Sequence, residues 1–252
     1  PLLVLLLLLC ASRPCGATVT TFSEFWCDSP SRLCDGETKT CRDNMDCTVI
    51  CSGTAACKGM TLNAVDADSL TLTCKGKYAC KDMIVNGPDT TGATVTVSCI
   101  QLSGATESDV GTCYNMKLYA AKSAGVTFTC DTATNSCGRD AQIYCPKCNH
   151  RPDSSSTNIA TYCVGGEQVG DCNVLCDSSD TLPGGENKYT CREMDVYASW
   201  QRHTSVQCNG SGAYTCHNLL LRRSTAGTSS LTCQYSCSAQ FRASQTSAPT
   251  RF

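Results

Sequence analysis

The sequence predicts an all-β chain, a disulfide-rich parallel β-helix or solenoid of about eight short coils. Three observations carry this expectation. Of 252 residues, 24 are Cys, which is the density of a disulfide scaffold. Equal stretches of sequence recur between cysteines. Within each stretch, apolar residues alternate with polar ones at the period of a half-buried strand.

So many cysteines point to an oxidising, secreted or extracellular-surface setting, because a reducing cytosol would leave them as exposed thiols. Hydrophobic residues make up 41 % of the chain, but that figure includes Cys, and aromatics are only 6 %. A single thick core is therefore not expected, and local bridges, at roughly 2–4 kcal/mol each, take its place. The net charge is −2, with 20 basic and 22 acidic residues interspersed. No basic stripe in the sequence suggests a nucleic-acid partner, and no acidic block suggests a charged tail.

Residues 1–17 read as a signal peptide. Residues 2–9 are uninterrupted aliphatics, followed by the small-residue stretch Cys15-Gly16-Ala17. The apolar run is too short for a stable membrane span of about 20 residues. Cleavage near Ala17 removes Cys10 and Cys15 together and leaves an even count of 22. The rival reading is a retained apolar strand that inserts into a neighbouring subunit. A Cys-rich N-terminal segment follows at 18–46. The first part of the solenoid is placed at 47–143, a Cys-rich insertion at 144–171, the second part at 172–237 and a C-terminal tail at 238–252.

The repeat is read from its cysteines. Cys57 to Cys74, Cys113 to Cys130, Cys191 to Cys208 and Cys216 to Cys233 each enclose sixteen residues, and Cys80 to Cys99 encloses eighteen. Each unit opens with a Cys followed by apolar residues three and five places on: Met60 and Leu62, Met83 and Val85, Met116 and Leu118, Met194 and Val196, Leu219 and Leu221. After a turn, apolar residues stand four and two places before the closing Cys: Leu70 and Leu72, Val95 and Val97, Val126 and Phe128, with Leu231 alone in the last unit. These side chains are expected inside and their neighbours outside. Units this small cannot bury their own apolar faces, so they stack. At roughly 4.8 Å per coil the body is about 40 Å long.

Between units the linkers vary, from five residues (Cys51 to Cys57, Cys74 to Cys80) through six (Cys130 to Cys137) and seven (Cys208 to Cys216). Two are longer, thirteen in Cys99 to Cys113 and fourteen in Cys176 to Cys191. Each linker is expected to be closed by its own flanking cysteines, since a local bridge tolerates any loop length. That expectation covers the pairs Cys34 with Cys41, Cys51 with Cys57, Cys74 with Cys80, Cys99 with Cys113, Cys130 with Cys137, Cys176 with Cys191, Cys208 with Cys216 and Cys233 with Cys237. Other connectivities stay open on sequence grounds. A coarser repeat matches Asp46-Cys47-Thr48-Val49-Ile50-Cys51 to Asp171-Cys172-Asn173-Val174-Leu175-Cys176, as in two lobes or one stack with an insertion; one continuous stack is the preferred reading.

Few residues suggest chemistry. Cys145, Cys148 and His150, with Cys163 beyond, have ligand types that suit zinc, but their spacing matches no common knuckle and disulfides are the preferred reading. No metal or other cofactor is expected. The histidines His150, His203 and His217 fall in different units without a repeated acidic partner; Asp195 and Arg192, near His203 in sequence, read as solvated charge. Asn209-Gly210-Ser211 is an acceptor for N-glycosylation beside Cys208. Thr and Ser recur three and one places before the closing cysteines, as in Thr71 and Thr73, Thr96 and Ser98, Thr127 and Thr129, Ser230 and Thr232, while Ile50 and Gln207 break the row. Such rows suit an exposed strand face; they also resemble the ladders of insect antifreeze proteins, whose repeats are shorter and more regular.

The alternation of Cys-x-x-apolar-x-apolar with apolar-x-apolar-x-Cys across residues 41–237 resembles the cysteine-rich β-helical repeats of secreted surface proteins of algae and other protists. That resemblance implies a β-helical fold, an extracellular setting and a part in fibrils, flagellar hairs or wall layers. No polar cap is readable at either end of the repeat, and uncapped ends favour stacking, so the expectation is a non-enzymatic structural subunit that assembles head-to-tail with itself. The alternative is a secreted glycan-binding module using the long loops 100–112 and 177–190.

Overall fold

The computed structural model describes residues 21–28, 34–90, 92–101, 111–120, 123–132, 140–144, 171–178, 190–198, 203–210, 215–223, 228–233 and 240–243. Within them every regular element is a strand: β1 (Thr21–Phe22), β2 (Glu24–Asp28), β3 (Thr38–Cys41), β4 (Asp46–Ser52), β5 (Thr61–Asn63), β6 (Ser69–Lys75), β7 (Ile84–Asn86), β8 (Thr94–Gln101), β9 (Lys117–Tyr119), β10 (Gly125–Thr132), β11 (Gln142–Tyr144), β12 (Asp171–Ser178), β13 (Asp195–Ala198), β14 (His203–Gly210), β15 (Leu220–Arg223), β16 (Thr228–Cys233) and β17 (Gln240–Ala243). The odd-numbered strands form one nine-stranded parallel sheet and the even-numbered strands one eight-stranded parallel sheet. The chain thus crosses from sheet to sheet at every corner and advances by one strand per turn. This is the all-β, β-helix-like stack that the cysteine period predicts.

Register follows the hydrophobic pattern. Thr38 pairs with Thr61 and Thr61 with Ile84, each a step of twenty-three residues. In the even sheet one inward column reads Phe25, Val49, Leu72, Val97, Phe128, Val174, Val206 and Leu231. In the odd sheet Leu62, Val85, Leu118, Ile143, Val196 and Leu221 face them, all fully buried. Met60, Met83, Met116, Met194 and Leu219 are buried one position before their strands begin, as flexible fillers of the corner. Each such side chain contributes about 1.5–3 kcal/mol through area removed from water. A one-residue slip would turn every column outward, so the register is fixed.

β1, β2 and β3 lie within residues 18–46 and extend the ladders through that segment. β10 pairs directly with β12, and β11 with β13, so the sequence between 144 and 171 interrupts the chain without interrupting either sheet. Asp46 and Asp171 occupy one column of the even sheet, as do Cys47 and Cys172. The coarse repeat seen in the sequence is therefore a true structural equivalence.

The bridges sit at the corners. Cys51–Cys57, Cys74–Cys80, Cys99–Cys113, Cys176–Cys191 and Cys208–Cys216 each close the linker between an even strand and the next odd strand. The expected pair of Cys34 with Cys41 is not formed. Cys34 bridges Cys27, because Cys27 stands beside Cys51 in the closing column and Cys34 is the leading cysteine of the following coil. Cys41 bridges Cys47 across the opposite corner, from the end of β3 to the start of β4. Cys130 stands in the closing column between Cys99 and Cys176 as a buried free thiol, against the expectation that it bridges Cys137. The count along the chain explains the break. Bridged leading cysteines precede Leu62, Val85, Leu118, Val196 and Leu221 by five residues, whereas Cys137 precedes Ile143 by six. Cys137 itself lies outside the described residues. Cys172 and Cys233 are disulfide-bonded to partners outside them, and Cys237, the expected partner of Cys233, lies there too.

At these corners the leading cysteines take left-handed backbone, with φ of 56° at Cys57, 54° at Cys80, 56° at Cys113, 52° at Cys191 and 53° at Cys216. Left-handed geometry costs an L-residue about 1–2 kcal/mol. It persists because the surroundings hold it: Cys80 N donates to Ala56 O at 2.8 Å and Cys113 N to Ala79 O at 2.9 Å, so the ladder continues around the bend. Gly76, at φ 119°, is required by proximity as well, since a Cβ there would lie 2.9 Å from Gly53 O in the neighbouring coil.

Candidate functional site

Two outward faces and one corner hold the residues with binding or chemical potential. The even sheet presents two adjacent columns. One reads Glu24, Thr48, Thr71, Thr96, Thr127, Asn173, Ser205 and Ser230, the other Trp26, Ile50, Thr73, Ser98, Thr129, Leu175, Gln207 and Thr232. Glu24 is the only charged residue in the pair of columns, and Trp26 beside it is 58 % exposed and donates from Nε1 to the Glu24 carboxylate at 3.1 Å. The result is a hydroxyl-rich strip, interrupted by Ile50 and Gln207 where the sequence shows breaks and also by Leu175.

The odd sheet carries a different ladder. Asn86 donates to the Asn63 side-chain oxygen at 2.6 Å, and the same column continues as Tyr119, Tyr144, Tyr197 and Arg222. The rings of Tyr119 and Tyr144 stack at 4.7 Å and those of Tyr144 and Tyr197 at 4.5 Å; the Arg222 guanidinium lies 5.3 Å from the Tyr197 ring centre. Tyr197 donates to Asp195 at 3.0 Å, Tyr144 donates to Gln142 at 3.3 Å, and Arg222 approaches the same Asp195 carboxylate at 3.8 Å. Tyr144 is covered on both faces by its neighbours, and all three tyrosines are half-buried. The stack consequently works as a spine for the sheet rather than as a platform of open ring faces.

Burial raises the pKa of both Tyr144 and Tyr197; the neighbouring tyrosines add to it at Tyr144, and the Asp195 carboxylate adds to it at Tyr197. A raised acid pKa means that the fold favours the neutral phenol. The associated stability is complete below the ordinary tyrosine range near 10 and is lost as pH climbs through the higher folded values. Alkaline titration followed by phenolate absorbance is expected to show these two rings ionising later than free tyrosine, with stability falling over the same interval. A Tyr144→Phe variant that leaves the late phase and the alkaline loss unchanged contradicts this.

The sequence-level candidates are not brought together. Asp195 lies in β13 of the odd sheet and His203 in β14 of the even sheet, while Arg192 is held by Glu193 at 3.0 Å. Asn209 is the second-last residue of β14, half-exposed and paired in register with Asp177, so the sequon begins on a strand rather than in a loop. His217 sits at the corner after Cys216. Cys145, Cys148, His150 and Cys163 lie outside the described residues, as do 102–110 and 179–189 of the two long loops. The sulfurs of Cys27, Cys51 and Cys57 lie within 4.8 Å of one another, yet all three are committed to bridges and offer no thiolate to a metal. No described helix is long and apolar enough to cross a membrane.

The tyrosine spine escapes a reading by cysteine spacing because its members are 25 and 53 residues apart. Its signal is positional: each Tyr directly follows the inward residue of its strand, Leu118, Ile143 or Val196.

No protein-family model, curated protein or solved structure matches this chain. The laddered faces and bridged corners therefore carry the functional reading by themselves.

Proposed function

We propose that the protein is a secreted, non-enzymatic structural subunit that assembles head-to-tail into an extracellular filament or matrix. The observation that carries this reading is the state of the ladder ends. Among the described residues β1 and β2 at one end, and β17 and β16 at the other, are each paired on one side only. Such edges are templates for further pairing. All strands run parallel, so one copy extends the ladder of another when its opposite end meets it. That contact is heterologous and propagates instead of closing into a dimer. The bridged corners support the extracellular part of the reading, and a sequon that begins at the half-exposed Asn209 near the end of β14 is compatible with it.

Light scattering and electron microscopy of the oxidised protein over a range of concentrations test the proposal. Linear particles that lengthen with concentration are expected. A species that stays strictly monomeric at high concentration overturns it.

A further inference from the structure

Lysines that are scattered along the sequence are gathered at the bridged corner. Backbone bonds from Gly59 N to Lys81 O (2.7 Å) and from Asp82 N to Tyr114 O (2.9 Å) stack Lys58, Lys81 and Tyr114 in successive coils. Bonds from Gly53 N to Lys75 O and from Ala55 N to Lys77 O, both 2.8 Å, set Lys75 and Lys77 on the same corner. The Lys77 ammonium lies 5.3 Å from the Tyr78 ring centre. Lys81 lies 5.6 Å from that ring and 5.3 Å from the ring of Tyr114. Asp82 approaches Lys81 at 4.0 Å and is also engaged by Asn115 at 2.8 Å. The strip ends at Asp35, one coil before Lys58.

We propose that this corner binds an acidic polysaccharide bearing sulfate or carboxylate groups. Lys58 on one coil and Lys75, Lys77 and Lys81 on the next place four ammonium groups on one corner beside the Asp35 and Asp82 carboxylates, an excess of positive charge that attracts a polyanion. Lys58 and Lys81 stand one coil step apart, about 4.8 Å, with Lys75 and Lys77 on the same coil as Lys81, so a chain that carries several anions engages the cluster at more than one point. The tyrosine rings hold Lys77 and Lys81 in place before a ligand arrives, which lowers the ordering cost of binding. Ammonium groups act as point charges and so accept either sulfate or carboxylate. The oxidising setting implied by the bridges favours a glycan over a nucleic acid as the polyanion. The proposal does not depend on whether the subunits stack.

The test uses the oxidised full chain on an immobilised sulfated polysaccharide, a polyuronate, a neutral polysaccharide and double-stranded DNA, over a salt series. Binding to one or both acidic polysaccharides is expected, weakening as salt rises, with none to the neutral one; the better of the two identifies the anion. The K58Q/K75Q/K81Q variant is expected to bind at least about tenfold more weakly, while K58R/K75R/K81R retains binding. Four results overturn the proposal: no binding at low salt, unchanged binding by the glutamine variant, loss of binding in the arginine variant, or tighter binding to DNA than to either acidic polysaccharide. The loop 102–110 carries Glu107 and Asp109. Binding that emerges only in E107Q/D109N also overturns it, since the corner would then be neutralised by its own chain.

Discussion

Replacing Phe128 by Ala is expected to lower the unfolding free energy by about 3–5 kcal/mol, the range for emptying a fully buried aromatic site. Phe128 is the largest fully buried side chain of the inward column, 0 % exposed, and sits between Val97 and Val174. The opposing column comes from the short strands of the odd sheet, whose side chains cannot move in without breaking register. The void therefore stays open. Chemical denaturation followed by far-ultraviolet circular dichroism measures the loss, and a change below about 1 kcal/mol would show that the sheets collapse onto the gap. Because each coil touches mainly its neighbours, the damage is expected to spread from the coil of β10 to those of β8 and β12 before the rest of the stack responds.

Removing the Cys74–Cys80 bridge, with both residues changed to Ala, is expected to cost about 2–3 kcal/mol from the freed unfolded chain. The bridge spans 6 residues of sequence, and the loop-entropy argument makes the Cys176–Cys191 bridge, which spans 15, somewhat more stabilising. The first corner has a further dependence. Tyr78, Cys80 and Asp82 hold left-handed φ of 59°, 54° and 56° in five residues, a conformation that the bridge helps to enforce. Proteolytic nicking is accordingly expected at residues 75–81 in the variant and not in the parent. A variant that is equally stable and equally resistant would show that the hydrogen bonds between coils suffice to hold the corner.

The columns were readable from spacing because one physical rule governs them. Met60 and Leu62, or Val95 and Val97, alternate at the period of a strand and stand at fixed distances from a cysteine, and each lands inside. The rule fails where the count shifts by one. Cys137 looks like the leading cysteine of its unit, but the register of Ile143 with Leu118 shows the offset, and Cys130 keeps its thiol. It fails again for Cys34, since six residues separate it from Cys27 and from Cys41 alike, and only pairing of β2 with β4 shows which of the two it faces. The tyrosine spine and the lysine corner depend on residues that share a column or a corner without sharing a motif. They became legible once the step between coils was known, because that step varies from coil to coil.

All seven bridges whose two cysteines are described join positions 6 to 15 residues apart within a single winding, and none of them ties one coil to the next. The described body is consequently anisotropic under load. Each turn is a covalently reinforced hoop that resists widening, whereas tension along the stack is borne by hydrogen bonds, stacked rings and buried side chains. Pulled lengthwise, such a body yields hoop by hoop and can re-form, so it dissipates work without rupturing a covalent bond.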